Sequence, residues 1–149
     1  YSSAASDVYK RQWDLRADRL VLPEDASRFE YTTIHFGAAL GLAAAIEELV
    51  EIGMDEVWRH DLELVDSLVR GISGMGVVIS SPMSEEERSA IVSLRLPEGT
   101  SSVDVADRLQ SEYSILVTSR SGLLRVSPHI DNSLEDIESL VSALGEILS

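Results

Sequence analysis

Residues 114–144 read SILVTSRSGLLRVSPHIDNSLEDIESLVSAL, and this stretch decides the fold. SILVTS (114–119) and GLLRVS (122–127) are short apolar runs rich in β-formers, and the glycine pair-breaker between them predicts two strands joined by a tight turn around Ser121-Gly122. Ser133 stands three residues before Asp136, the spacing of a capping box, so a helix starts there. Its apolar face is Ile137, Leu140, Val141, Leu144 and Leu148. Glu135, Asp136 and Glu138 crowd its first turn, where the helix dipole favours negative charge.

Upstream, the period changes from element to element. PEGTSS turns the chain, and Ser102 is placed to cap a helix running to about Glu112. IVSLRLP (91–97) alternates strictly, with Val92, Leu94 and Leu96 on one side and Ser93 and Arg95 on the other, as a half-buried strand requires. The acidic SEEER (84–88) reads as a solvated loop without a function, and VVIS (77–80) as a further short strand. Trp58, Leu62, Val65, Val69 and Ile72 recur on one helical face. The GISGMG that ends this helix reads as a turn; a phosphate loop is the weaker alternative for Gly74 and Gly76. Gly53 closes the preceding helix and Asp55 is placed to cap the next one.

That preceding helix is expected over Thr33–Glu51. It is apolar on nearly every side, with Gly37 and Gly41 four apart, and its core FGAALGLAAAI (36–46) exceeds what a chain of this size normally leaves uncovered. The order is thus helix, helix, strand, strand, helix, strand, strand, helix. It predicts an α+β fold: a small, mainly antiparallel sheet of about four strands, helices packed on one face, and a long apolar linking helix in front.

Composition narrows the function. The chain has 149 residues, 44% of them hydrophobic, enough for one real core. Its 26 Asp and Glu against 12 Lys and Arg, a net charge of −14, argue against nucleic acid and anionic membranes as partners. The absence of cysteine excludes disulfides, thiolate metal sites and a cysteine nucleophile within this chain. His35, His60 and His129 have no metal-ligand spacing, so no metal is expected. No stretch reaches the ~18 apolar residues of a membrane span and no signal peptide is evident, so a cytoplasmic location is expected.

The first residues, YSSAASDVYKRQ (1–12), lack any apolar rhythm and hold the only lysine, Lys10. From Ser2 to Gln12 they match the translation of a common transposase sequencing adapter. Residues 1–12 are therefore expected to be a disordered artefact, residues 13–32 an extended approach segment containing Pro23, and residues 33–149 a small C-terminal domain.

Two stretches carry a resemblance. ASRFEYTTIHFGAALGLAAAIEELVEIG (26–53) and the closing stretch, with its R-x-G-x-x-R-x-S-x-H pattern followed by Asn132 and an acidic helix start, resemble the C-terminal part of class V aminotransferase-like enzymes. The likeness covers about Leu20–Leu148. It implies a fold type I enzyme that uses pyridoxal 5′-phosphate (PLP), acts on a small amino-acid substrate and works as a homodimer. Arg125 falls where the family clamps the substrate α-carboxylate, a task suited to a planar, permanently charged fork; the plainer alternative is a local ion pair with Asp131 or Asp136. Arg120 matches the first arginine of the pattern, lining the substrate entrance or supporting the Ser121-Gly122 turn. Thr33 falls where the family often reaches the cofactor phosphate, or it caps the helix. His35 stands where the family usually has asparagine, His129 is read as a supporting hydrogen-bond partner, and Arg28 and Glu30 as a structural pair.

The resemblance also implies parts this chain lacks. PLP enzymes hold the cofactor through a lysine, and residues 13–149 contain none. No catalytic residue is therefore assigned, and the chain alone is expected to be inactive, with the PLP-binding domain elsewhere. Desulfurases of the family carry a mobile cysteine on a loop between the strands flanking the arginine; here only SGLL separates Arg120 from Arg125. A transaminase or a lyase working without a persulfide is favoured over a desulfurase, and an epimerase also remains open. The competing class is a stand-alone α+β ligand-sensing or dimerisation domain without catalysis.

Overall fold

The computed structural model describes residues 35–149. Thr33, Arg28, Glu30 and the expectations for residues 1–32 lie outside them. The chain divides into two compact units, the first ending at Ala45 and the second comprising Ile46–Ser149.

Helix α1, Phe36–Ile52, has no buried residue. The imidazole of His35 accepts at Nδ1 from the Ala38 backbone N–H at 3.0 Å, so a histidine satisfies one of the free donors of this helix start. Phe36, Leu40, Leu42 and Val50 are all more than 60% exposed.

The second unit holds the core. Helix α2, Met54–Gly71, follows directly, with Gly53 at φ 95° as its N-cap. Asp55, expected as that cap, lies instead in the first turn and makes no capping bond, because glycine alone fits the φ that the bend between two abutting helices requires. The buried stripe of α2 is Val57, Asp61, Leu64, Val65 and Leu68. This corrects the expected face by about one residue: Trp58 is 43% exposed, and Val57 takes its place. At the far end, a Cβ on Gly71 would lie 2.6 Å from Val141 Cγ2, so the two helices meet there with no room for a side chain.

Four strands form one antiparallel sheet: β1 (Val78–Ile79), β2 (Val92–Arg95), β3 (Thr118–Arg120) and β4 (Leu123–Val126), in the order β1-β2-β4-β3. Val92 faces Val126 and Leu94 faces Leu124, and all four are at most 4% exposed. The alternation in residues 91–97 thus puts its aliphatic side into the core. β1 ends early because the Ser81 hydroxyl, not a backbone carbonyl, accepts the Ser93 N–H at 2.9 Å. β3 is shorter than SILVTS suggested: Ser114 turns left-handed at φ 60° and Ile115 N–H donates back to Leu109 O at 2.9 Å. That helix-ending turn consumes the residues before Thr118. Ser121 and Gly122, both at positive φ, make the expected two-residue hairpin turn.

Helix α3, Ser102–Tyr113, is capped by Ser101 and not, as expected, by Ser102. Ser102 instead sits buried, its hydroxyl 2.8 Å from that of Ser119 on β3. Helix α4, Leu134–Leu148, has the full capping box at Ser133 and Asp136. The Ser133 backbone N–H donating to Asp136 holds that carboxyl below the usual aspartate range. Tyr113 donates to Glu146 at 2.9 Å, tying α3 to α4, and this bond raises the phenol's pKa. Leu64, Leu68, Leu109, Leu140 and Leu144 from the three helices join Val92, Leu94, Leu124 and Val126 in one core. Since these strand residues all point the same way, α2, α3 and α4 cover one face of the sheet, and among the described residues the other face is left open.

Candidate functional site

The open face is built by the same register that builds the core. Arg125 lies on the inner strand β4, with Ser93 directly opposite on β2 and Thr118 directly opposite on β3. One step along, Arg120 pairs with Leu123, and Arg95 pairs with Val78. Continuing the β2–β4 register sets Arg95 beside Leu123. One sheet face therefore holds Arg95, Arg120 and Arg125 with Ser93, Thr118, Leu123 and Val78 among them, because directly paired residues share a side.

Arg125 is half-buried, and its Nε has no hydrogen-bond partner among the described residues. The alternative of a local ion pair with Asp131 or Asp136 is not found in them: Asp136 is engaged in its capping box, and among the described residues no carboxylate lies within ion-pair distance of Arg125. Arg120 is exposed at the end of β3, immediately before the Ser121-Gly122 turn, where its backbone closes the hairpin.

A second cluster anchors the segment after β4. His129 Nδ1 is 3.0 Å from Asp61 Oδ2, and the neighbouring His60 donates through Nε2 to Asn132 O at 2.9 Å. The Asn132 side chain accepts the His129 backbone N–H at 3.1 Å, and the Asn132 N–H donates to His129 O at 2.8 Å. His60 and Asp61, adjacent on α2, thus hold the loop that begins two residues beyond Arg125. His129 is a supporting hydrogen-bond partner here. Asp61, 5% exposed with its Oδ1 unpartnered among the described residues, was missed from sequence. Its signal was a carboxylate in register with Val57, Leu64 and Leu68 on an otherwise aliphatic stripe. The SEEER loop is not merely solvated, as its acidic run suggests: its Arg88 pairs with Asp66 of α2 and pins the loop. Gly74 and Gly76 adopt positive φ in the turn after α2, as a turn reading requires.

The residues described offer no holder for PLP: there is no lysine among them, and Thr33 lies outside. What they offer is a cationic, hydroxyl-flanked surface suited to binding carboxylates. Among the described residues no helix is long and apolar enough to cross a membrane.

Comparison with known proteins places the chain in a family. The chain is 30% identical over 140 residues to a probable cysteine desulfurase of Pyrococcus abyssi (strain GE5 / Orsay), covering 85% of this chain and 34% of that protein. It is 38% identical over 86 residues to probable cysteine desulfurase 2 of Mycobacterium leprae (strain TN), covering 57% of this chain and 20% of that one. The apo structure of a cysteine desulfurase from Thermococcus onnurineus NA1 superimposes with a TM-score of 0.75 at 30% identity, over 91% of this chain and 36% of that one. The chain thus spans about a third of the length of these first relatives. The profile of Aminotransferase class-V, a family of PLP-dependent enzymes, matches residues 13–140. The chain belongs to the class-V aminotransferase family.

Proposed function

We propose that this chain supplies the substrate-carboxylate site of a PLP-dependent enzyme acting on an amino acid, with Arg125 as the α-carboxylate clamp and Arg120 beside it. The observation that carries this reading is Arg125 itself: on an uncovered sheet face, half-buried, its Nε unpartnered among the described residues, with a hydroxyl residue on either side. A guanidinium so placed offers a carboxylate two parallel N–H donors and orients the substrate. Thr33, from the resemblance, is the proposed phosphate contact of the cofactor. In this reading residues 33–149 form the small domain, and the whole enzyme is a homodimer that works in the cytoplasm.

The reaction class favoured is transamination or a lyase reaction without a persulfide. The relatives are named as cysteine desulfurases, which supports the other reading. Against a persulfide carried on this chain stand its lack of cysteine and the two-residue Ser121-Gly122 turn, which leaves no loop to bear one. Titrating the ¹⁵N-arginine-labelled chain with L-alanine should shift the Arg125 Nε–H resonance, while L-alaninamide, which lacks the carboxylate, should not. An Arg125 resonance indifferent to both ligands would sink the clamp. For the reaction class, the full-length enzyme incubated with L-cysteine and a dithiol reductant should yield no alanine above background; alanine and sulfide in equal amounts would restore the desulfurase reading.

A further inference from the structure

The other arginines on the open face are not explained by one α-carboxylate. Seven arginines fall among the described residues. Arg59 pairs with Glu56 and Glu63, Arg88 with Asp66, and Arg108 with Glu112. Arg70 is exposed in the last turn of α2, where a cation suits the helix dipole. The remaining three, Arg95, Arg120 and Arg125, share one sheet face, and none has an ion-pair partner among the described residues. This is notable in a chain of net charge −14, where carboxylates outnumber cations more than twofold.

Register sets their geometry. Ser93 and Thr118 lie opposite Arg125, so Arg95 and Arg120 are its diagonal neighbours on the two flanking strands, about 7–8 Å away at the backbone and within reach of long side chains. Leu123 stands between Arg95 and Arg120, which are two strands and about 10 Å apart. Three guanidinium groups within about one Debye length repel one another, an arrangement that an anion relieves. One carboxylate occupies one fork. A ligand with a short apolar link and a second carboxylate uses the others.

We infer that this face selects an amino dicarboxylate: the α-carboxylate on Arg125, the side-chain carboxylate on Arg95 and Arg120, the connecting methylenes against Leu123. This rests on the α-carboxylate reading of Arg125 and names the substrate class of the same site.

The test is a pair of probes that differ only in the distal charge. L-Glutamate and L-glutamine are titrated separately into the ¹⁵N-labelled 149-residue chain, reading the resonances of Ser93, Arg95, Thr118, Arg120 and Arg125. Glutamate should bind about tenfold more tightly than glutamine, as expected for an added charge-assisted contact. Arg95→Gln should bring glutamate down towards the affinity of glutamine and leave glutamine unchanged. Arg125→Gln should weaken both. Equal affinities for the two amino acids, both lost in Arg125→Gln, would overturn the dicarboxylate inference and leave the α-carboxylate clamp standing. Binding of either amino acid that survives Arg125→Gln, or no response to either, would overturn the clamp and the inference with it. Inorganic phosphate is the third arm: if it moves Arg95 and Arg120 while glutamate does not, the face is a phosphate site and the dicarboxylate inference falls.

Discussion

The two faces of the sheet are made by the same four strands and have opposite chemistry. On one, Val92, Leu94, Leu124 and Val126 pack under three helices; on the other, Arg95, Arg120 and Arg125 stand with Ser93 and Thr118, uncovered among the described residues. One-residue alternation separates them, so a strand such as LLRV serves core and site at once. The covered face holds the fold together through area removed from water, roughly 1.5–3 kcal/mol for each fully buried Val or Leu. The open face contributes little to folding and is free to carry charge for recognition. Stability and binding should therefore respond to different substitutions on the same strands.

The largest stability effect is expected on the covered face. Leu94→Ala removes a fully buried side chain opposite Leu124 and should cost about 3 kcal/mol in urea unfolding. Gly71→Ala comes next: its new methyl meets Val141 within van der Waals distance, and a loss of about 2 kcal/mol is expected on the same measurement. A Leu94→Ala cost as small as that of a surface change would mean that the sheet is not the floor of this core. Ser133→Ala removes the side-chain cap of α4 and should cost about 1 kcal/mol. On the open face, Arg125→Gln should change unfolding stability by less than about 0.5 kcal/mol while abolishing the response to L-alanine. A large loss of stability there would make Arg125 a structural residue and erase the contrast between the faces.

The smallest effect is a pH dependence. The pKa of Asp136 is lowered in the folded state, first by the Ser133 backbone N–H, from a usual value of 3.8. Its contribution is therefore complete above that value and lost as pH falls through the lowered folded pKa. Melting curves of Asp136→Asn and the parent chain should converge in strong acid and separate, with the parent more stable, towards neutral pH. A gap that stays constant across that range would show that the carboxylate charge is not what strengthens the cap.

Several features were legible because they are local. The Ser133 capping box, the Ser121-Gly122 turn and the alternation of Val92, Leu94 and Leu96 depend on contacts between near neighbours in sequence, and each stands where it was expected. Errors came where a distant partner decides. The stripe of α2 was misplaced because Trp58 looks more buryable than Asp61 until His129, 68 residues away, is brought to the carboxylate. Ser102 looked like a cap because its real partner, Ser119, lies across the fold.

The sequence by itself determined the element types, the single sheet with one aliphatic face, and the strongly negative charge balance. Its motif also singled out Arg125 and Arg120. Only the tertiary structure decided that Arg95 shares their face, that β4 runs between β2 and β3, and that Asp61 steadies the loop after Arg125. The reason is physical. Periodicity reports which side of its own strand or helix a residue takes, but strand order and register, fixed by packing between segments far apart in the chain, decide which side chains meet.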